Sequence, residues 1–285
     1  MKRLISVLGL IVLWPAGPSW AQLSPPNKSG VAMGHLHYHV RDVEASKKFW
    51  VALGATATKV GTTDVMKLPD VLIFLTQAES SGGNDGSVLK HVAFRVPNLL
   101  QSLAKAQAAG IKVQPNQNKI QGYVFTPEGE QIELFEEQTE VSAFTLDEGQ
   151  DDLAARRLGQ KMTVPITTHH VHLYVPEGSE AEAKTWYVRM FGSIPGKRWH
   201  YEAAHVPGML LNFSASPVRL APTKGRMLDH IGFEIKNLEA FCKKLEASGV
   251  KFDVPYTKRP TGVATAFLTD PWGTYIELTE GLNRF

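Results

Sequence analysis

The sequence predicts an α+β fold in two domains, each a pair of βαβββ modules forming a curved cleft. Two observations carry that expectation: a size and composition suited to two globular units, and a strand–helix–strands pattern that recurs four times. The chain has 285 residues, of which 43% are apolar and 20% charged. That composition suits an ordinary globular chain of two domains, each large enough to bury its own core. The formal net charge of +2 provides no basic field strong enough to favour nucleic acid as a partner.

From the N-terminus, Lys2 and Arg3 precede an apolar run from Leu4 to Trp14, and Ser19-Trp20-Ala21 supplies small residues at two spaced positions. This reads as a signal peptide over residues 1–21 that is cleaved to give a secreted or periplasmic protein; the run is too short to span a bilayer as a mature helix. A Pro/Ser/Asn-rich stretch, 22–30, reads as a disordered lead-in. Residues 31–137 form the first expected domain, the charged stretch 138–165 a linker with at most one short helix, and residues 166–285 the second. Export usually brings disulfides, yet Cys242 is the only cysteine. It falls in the helical pattern Leu238–Leu245 and is expected to be a packed side chain rather than a catalytic thiol.

The clearest repeat matches Lys90–Val96 with Asp229–Ile235, both alternating strand patterns. Each leads to an amphipathic helix, Leu99–Ala109 or Leu238–Ser248, with Asn98 or Asn237 at the N-cap and Gly110 or Gly249 just past the end. Short strands follow (Ile111–Val113, Val250–Phe252), then a turn and a closing strand, Thr126–Leu134 or Thr269–Leu278. Two weaker copies begin at His35-Leu36-His37-Tyr38-His39-Val40 and His170-Val171-His172-Leu173-Tyr174-Val175. Five residues before the last apolar residue of each first strand (Val40, Val96, Val175, Ile235) stands a histidine: His35, His91, His170 or His230. A core unrelated to function does not predict that recurrence. Pairing the modules of each half adds a glutamate from the closing strand. This gives two expected metal sites, His170/His230/Glu277 in the second domain and His35/His91/Glu133 in the first. Two imidazoles and a carboxylate leave open positions on a divalent transition metal; Fe(II) is favoured, with Mn(II), Ni(II) or Zn(II) also suited. His37 and His172 share a strand face with these residues and are expected to line the pocket, whereas His169 should point away. His200 and His205 are candidate acid–base groups near the second site.

These modules resemble those of the vicinal oxygen chelate superfamily, which includes glyoxalase I, fosfomycin-resistance transferases, bleomycin-resistance proteins and extradiol dioxygenases. The resemblance lies in Phe49-Trp50…Leu53-Gly54, in Trp186-Tyr187…Phe191-Gly192 and in Asp270-Pro271-Trp272-Gly273…Ile276-Glu277-Leu278, and it spans most of residues 31–282. It implies that the six His and Glu residues fall at the family's ligand positions. Glyoxalase-type isomerisation implies a further carboxylate ligand on the strands Val71–Leu75 or Met209–Phe213, and neither contains Asp or Glu. Extradiol enzymes have a His and a Tyr shortly before the Asp-Pro turn, where Val263–Leu268 offers neither. The expected function is a metal-dependent enzyme acting on a small oxygen-chelating substrate, dioxygenase-like before glyoxalase-type isomerase or lyase, with no general acid or base identified. A non-enzymatic binding protein is the alternative. The expected assembly is a monomer or homodimer.

Overall fold

The computed structural model describes residues 23–117, 120–136, 144–151 and 162–285. The expected signal peptide and most of the expected linker lie outside them. The first module comprises β1 (Val31–Val40), α1 (Val43–Ala52), β2 (Thr56–Val60), β3 (Thr63–Leu68) and β4 (Val71–Gln77). The second comprises β5 (Leu89–Val96), α2 (Leu99–Ala108), β6 (Val113–Pro115), β7 (Gln121–Phe125) and β8 (Gln131–Glu136). A short strand, β9 (Phe144–Leu146), falls inside the expected linker and joins a sheet edge against Gly196–Arg198. The third module is β10 (Thr167–Pro176), α3 (Glu180–Phe191), β11 (Ile194–Arg198), β12 (Tyr201–Val206) and β13 (Met209–Ser216). The fourth is β14 (Leu228–Ile235), α4 (Leu238–Ala247), β15 (Phe252–Lys258), β16 (Ala264–Thr269) and β17 (Tyr275–Glu280).

The modules pair, but not within the sequence halves. One sheet runs β15-β16-β17-β14-β1-β4-β3-β2 and unites the first module with the fourth; the other runs β6-β7-β8-β5-β10-β13-β12-β11-β9 and unites the second with the third. The joints are antiparallel first strands, β1 on β14 and β5 on β10. The α+β architecture of two clefts built from paired βαβββ modules is as expected, but the expectation that the modules pair within each half is corrected. The larger of two buried apolar clusters runs from Val31 to Leu278 and draws on all four modules; the smaller gathers Val60, Val65, Leu72, Val263 and Leu282. Within each half the helices tie the two sheets together. Trp50 of α1, 1% exposed, packs on Phe94 of β5, and Trp186 of α3 lies edge-on to Trp272 beyond β16.

Local chemistry explains the elements. Asn98 caps α2 by accepting from the Gln101 amide at 2.9 Å. Asn237 sits at the equivalent position in the left-handed conformation (φ 62°) with no side-chain cap. There the Glu280 carboxylate of β17 accepts from the Asn237 and Leu238 amides at 3.2 and 3.0 Å. Glu136 of β8 does the same for Leu99 at 2.8 Å, so both closing strands place a carboxylate on a helix N-terminus. The Asp-Pro-Trp-Gly turn is held by one carboxylate. Asp270 accepts from the amides of Trp272, Gly273 and Thr274 at 2.7–2.9 Å and from the Tyr187 hydroxyl at 2.8 Å. The lead-in is ordered from residue 23: the Asn27 side-chain amide donates to the carbonyls of Phe191 and Gly192, both at 3.0 Å, and its oxygen accepts from Ser29 and Val31. That corrects the expected disorder. No helix among the described residues is long and apolar enough to cross a membrane.

Cys242 is 3% exposed on α4, and burial, with Glu246 nearby, pushes its thiol up to about 11. Its thiolate fraction near pH 8 is then roughly 100-fold below that of a free cysteine. Alkylation by iodoacetamide, followed by mass spectrometry, is expected to be negligible in the native protein and rapid after denaturation. Fast native labelling would contradict this packing.

Candidate metal centres

The crossed pairing decides which ligands meet. In the β1–β14 joint, His37 lies across from His230 and His35 across from Gly232. Glu277 of β17 is the parallel neighbour of Gly232. One carboxylate oxygen, Glu277 Oε2, accepts from His35 Nε2 at 2.9 Å and from His230 Nε2 at 3.0 Å. His37 joins them, its ring 4.6 Å from that of His230 and its Nε2 2.8 Å from the Thr76 hydroxyl. Ligand atoms of His35, His37, His230 and Glu277 all lie within 4.8 Å of one another.

Two β-bulges aim these side chains. The register slips between Met33 and His35, at Gly34, and between Tyr38 and His37 opposite Asp229. The second slip brings Asp229 and His230 together, with Oδ2 and Nδ1 2.5 Å apart, an outer carboxylate that fixes the imidazole's tautomer and orientation. Gly232 leaves the space that the His35 ring fills, since a Cβ there would stand 2.0 Å from His35 Cε1.

The β5–β10 joint repeats the plan. His172 lies across from His91, and His170 across from Ala93, the parallel neighbour of Glu133. Glu133 Oε2 is 3.0 Å from His91 Nε2 and 3.5 Å from His170 Nε2, and the two imidazole nitrogens are 3.3 Å apart. His172 Nε2 meets the Ser214 hydroxyl at 2.7 Å, as His37 meets Thr76. His91, His170 and His172 also form a group with ligand atoms within 4.8 Å.

All six sequence-predicted ligands thus stand in clusters, but the predicted triads are corrected. His35 keeps company with His230 and Glu277, and His91 and Glu133 with His170, because the strands that meet come from opposite halves. His37 and His172 enter the clusters, as their strand face required. His200 and His205 do not. His200 is exposed at the β11–β12 turn, its ring 3.9 Å from that of Trp199. His205 lines a separate cavity of about 810 Å³ with Arg95 and Thr168, which is the largest described but contains no member of either cluster. His169, expected to point away, stands beside His170 with their Nδ1 atoms 2.7 Å apart, because the register slips at it as at Gly34.

The electrostatics suit a cation. Burial holds His35 below its ordinary value despite Glu277. Burial, with His230 and His35 nearby, pushes His37 down to about 3. Burial likewise opposes charge on His230, but its bonds to Asp229 and Glu277 prevail and raise it. Burial would raise Glu277, yet the His230 and His35 bonds hold it well below the carboxylate range. In the other cluster, burial drives His170 and His172 far down, with Arg198 adding to both. His35, His37, His170 and His172 are thus held toward the neutral form that a transition metal binds, whereas His230 is held toward the charged form and would give up a proton to a metal. His35 Nδ1 is buried with no hydrogen-bond partner among the described residues, so only its Nε2 is committed toward Glu277.

Each cluster opens into a cavity of about 290 Å³. The linings differ. Val60, Phe74, Val263 and Phe267 give the β1–β14 cavity an apolar wall, whereas Gln121, Tyr123, Arg198 and Tyr201 make the β5–β10 cavity polar. Asp229, Arg198 and Tyr123 were not singled out from sequence as part of a site. The residues across from His37 and His172 on the neighbouring parallel strands are Phe74 and Asn212, so neither cleft offers a further carboxylate there.

Two stretches of the chain, 32–134 and 167–278, match the family model of the glyoxalase/bleomycin resistance protein/dioxygenase superfamily. No curated protein matches the sequence. Among solved structures, glyoxalase I from Zea mays superposes with a TM-score of 0.62 at 13% identity, covering 89% of this chain and 94% of its own. A proposed dioxygenase from Bacillus subtilis gives 0.59 at 14% identity, covering 91% and 86%. At these identities the likeness establishes the fold alone.

Proposed function

Because the chain belongs to the glyoxalase/bleomycin resistance protein/dioxygenase superfamily, we propose that it is a metal-dependent enzyme acting on a small substrate that chelates through adjacent oxygens. The observation that carries this reading is the convergence of three imidazoles at each strand joint, joined by Glu277 in the β1–β14 cleft and, in the β5–β10 cleft, with Glu133 within 3.0 and 3.5 Å of two of them. Fe(II) is the favoured ion, with Mn(II), Ni(II) or Zn(II) as alternatives suited to the same nitrogen and oxygen donors. Such an ion, when bound, acts as a Lewis acid and as a template that orients a chelating substrate. The chain's own part is to hold the donors. Asp229 keeps the Nδ1 proton of His230, and Thr76 and Ser214 fix His37 and His172.

Dioxygenase-type chemistry is placed ahead of isomerisation for one reason. Proton abstraction next to a carbonyl needs a base, and Phe74 and Asn212 stand where the family's further carboxylate is expected. The protein is further proposed to act outside the cytoplasm, after loss of residues 1–21, as a monomer or homodimer. Metal analysis of protein purified without chelators is expected to give at least about one transition-metal ion per chain. A metal-free protein that still binds small molecules would favour a non-enzymatic binding role. Oxygen uptake with a panel of catechols, lost in His230→Ala, is the expected outcome for a dioxygenase. Turnover of thiol hemiacetals without oxygen uptake would favour the isomerase.

A further inference from the structure

The two clefts share a scaffold and differ in one buried cation. Arg198, the last residue of β11, is 3% exposed and lines the β5–β10 cavity beside His91, His172 and Glu133. Its guanidinium lies 4.6 Å over the Phe135 ring and 5.8 Å from the Tyr201 ring, and its Nε has no hydrogen-bond partner among the described residues. No carboxylate forms an ion pair with it among the described residues. Burying a guanidinium without a direct ion pair is costly, and burial lowers its proton affinity although nearby Glu133 and Tyr201 partly offset this. Lys90 lines the same cavity but is ion-paired with Asp85, which leaves Arg198 as the cation available to a ligand there. The β1–β14 cavity also has an arginine, Arg259, but it is exposed and its Nε donates to the Thr265 hydroxyl at 3.2 Å.

We propose that the β5–β10 cleft, unlike its counterpart, is built to receive a ligand bearing a carboxylate, which Arg198 holds beside the metal ligands. The planar fork of a guanidinium matches a carboxylate in a two-point contact, and stacking on Phe135 fixes its plane. Tyr123 and Tyr201 border the same space. The β1–β14 cleft, walled by Phe74, Phe267 and Val263, takes an uncharged ligand instead. The chelating end of the ligand rests on the metal-site reading above; the carboxylate contact to Arg198 does not.

Isothermal titration of the full chain with 3,4-dihydroxybenzoate, 3,4-dihydroxybenzamide and catechol tests this, first with Zn(II) present and then without metal. With Zn(II), one site per chain is expected to prefer the acid over the amide by roughly tenfold or more. Arg198→Leu abolishes that preference; Arg198→Lys, which keeps the charge but not the fork, retains part of it. A preference for the acid that persists without metal upholds the Arg198 contact even if the metal reading fails. Equal affinity for acid and amide in the wild type overturns the proposal. So does a preference that survives in an Arg198→Leu protein with an unchanged circular dichroism spectrum.

Discussion

His35→Ala is expected to release the same metal ion as Glu277→Gln, although 242 residues separate the two positions. Both changes should leave the ion at His91, Glu133 and His170 in place. Each removes a direct donor, so affinity at that site should fall by more than the roughly 10- to 100-fold that loss of an outer partner costs. Metal titration of single and double variants reads the grouping. His35→Ala with Glu277→Gln should be strongly non-additive, because both donors serve one ion, whereas His35→Ala with His91→Ala should add. Gly232→Val reaches the same end indirectly, since even its Cβ would overlap the His35 ring. If His35 instead proved coupled to His91 and Glu133, the crossed strand pairing would be wrong.

The two sequence halves, residues 23–136 and 162–285, are expected to fail as separate monomers. Cutting the chain between them strips β14 from β1 and β10 from β5, which leaves two long strands in each fragment with unpaired edges. Such edges are templates for association. The apolar cluster shared by all four modules would be opened as well, exposing residues such as Phe94, Val171, Ile231 and Phe233, now 0% exposed. Each half alone is expected to precipitate or to dimerise, a second copy supplying the missing strands. Co-expression of both halves should restore a soluble 1:1 complex. Size-exclusion chromatography with light scattering and thermal unfolding provides the readout. A monomeric half with a cooperative melt would overturn the description of a core shared between the halves.

What could be read in advance was local. The four modules were legible because strand alternation, helix spacing and closing glycines are short-range signals, and the recurring His at one offset marked the functional face. His37 and His172 followed from the two-residue period of a strand. The grouping of modules was not legible. Neighbouring elements usually pair with each other, and nothing in the repeat says that β1 chooses β14 over β5. The bulges were equally hidden. Without the slip at Asp229, a strand would send Asp229 and His230 to opposite faces, so their contact has no signature in the sequence. Asn237 looked like Asn98 as a cap, but its backbone is left-handed and Glu280, 43 residues away, does the capping. Arg198 gave no motif at all; only folding β11 against the β5–β10 joint gives it meaning.

The crossed joints bear on how such a chain can change over generations. Each half contributes one wall to both clefts: His35 and His91 come from one, His170 and His230 from the other. The two binding specificities therefore cannot be inherited as separate cassettes. Swapping a half between two relatives would rebuild both clefts at once as hybrids, while a change confined to one cleft must come by point substitution. The contrast between Phe74/Phe267 in one cleft and Asn212/Tyr123 in the other is the pattern that the second route leaves.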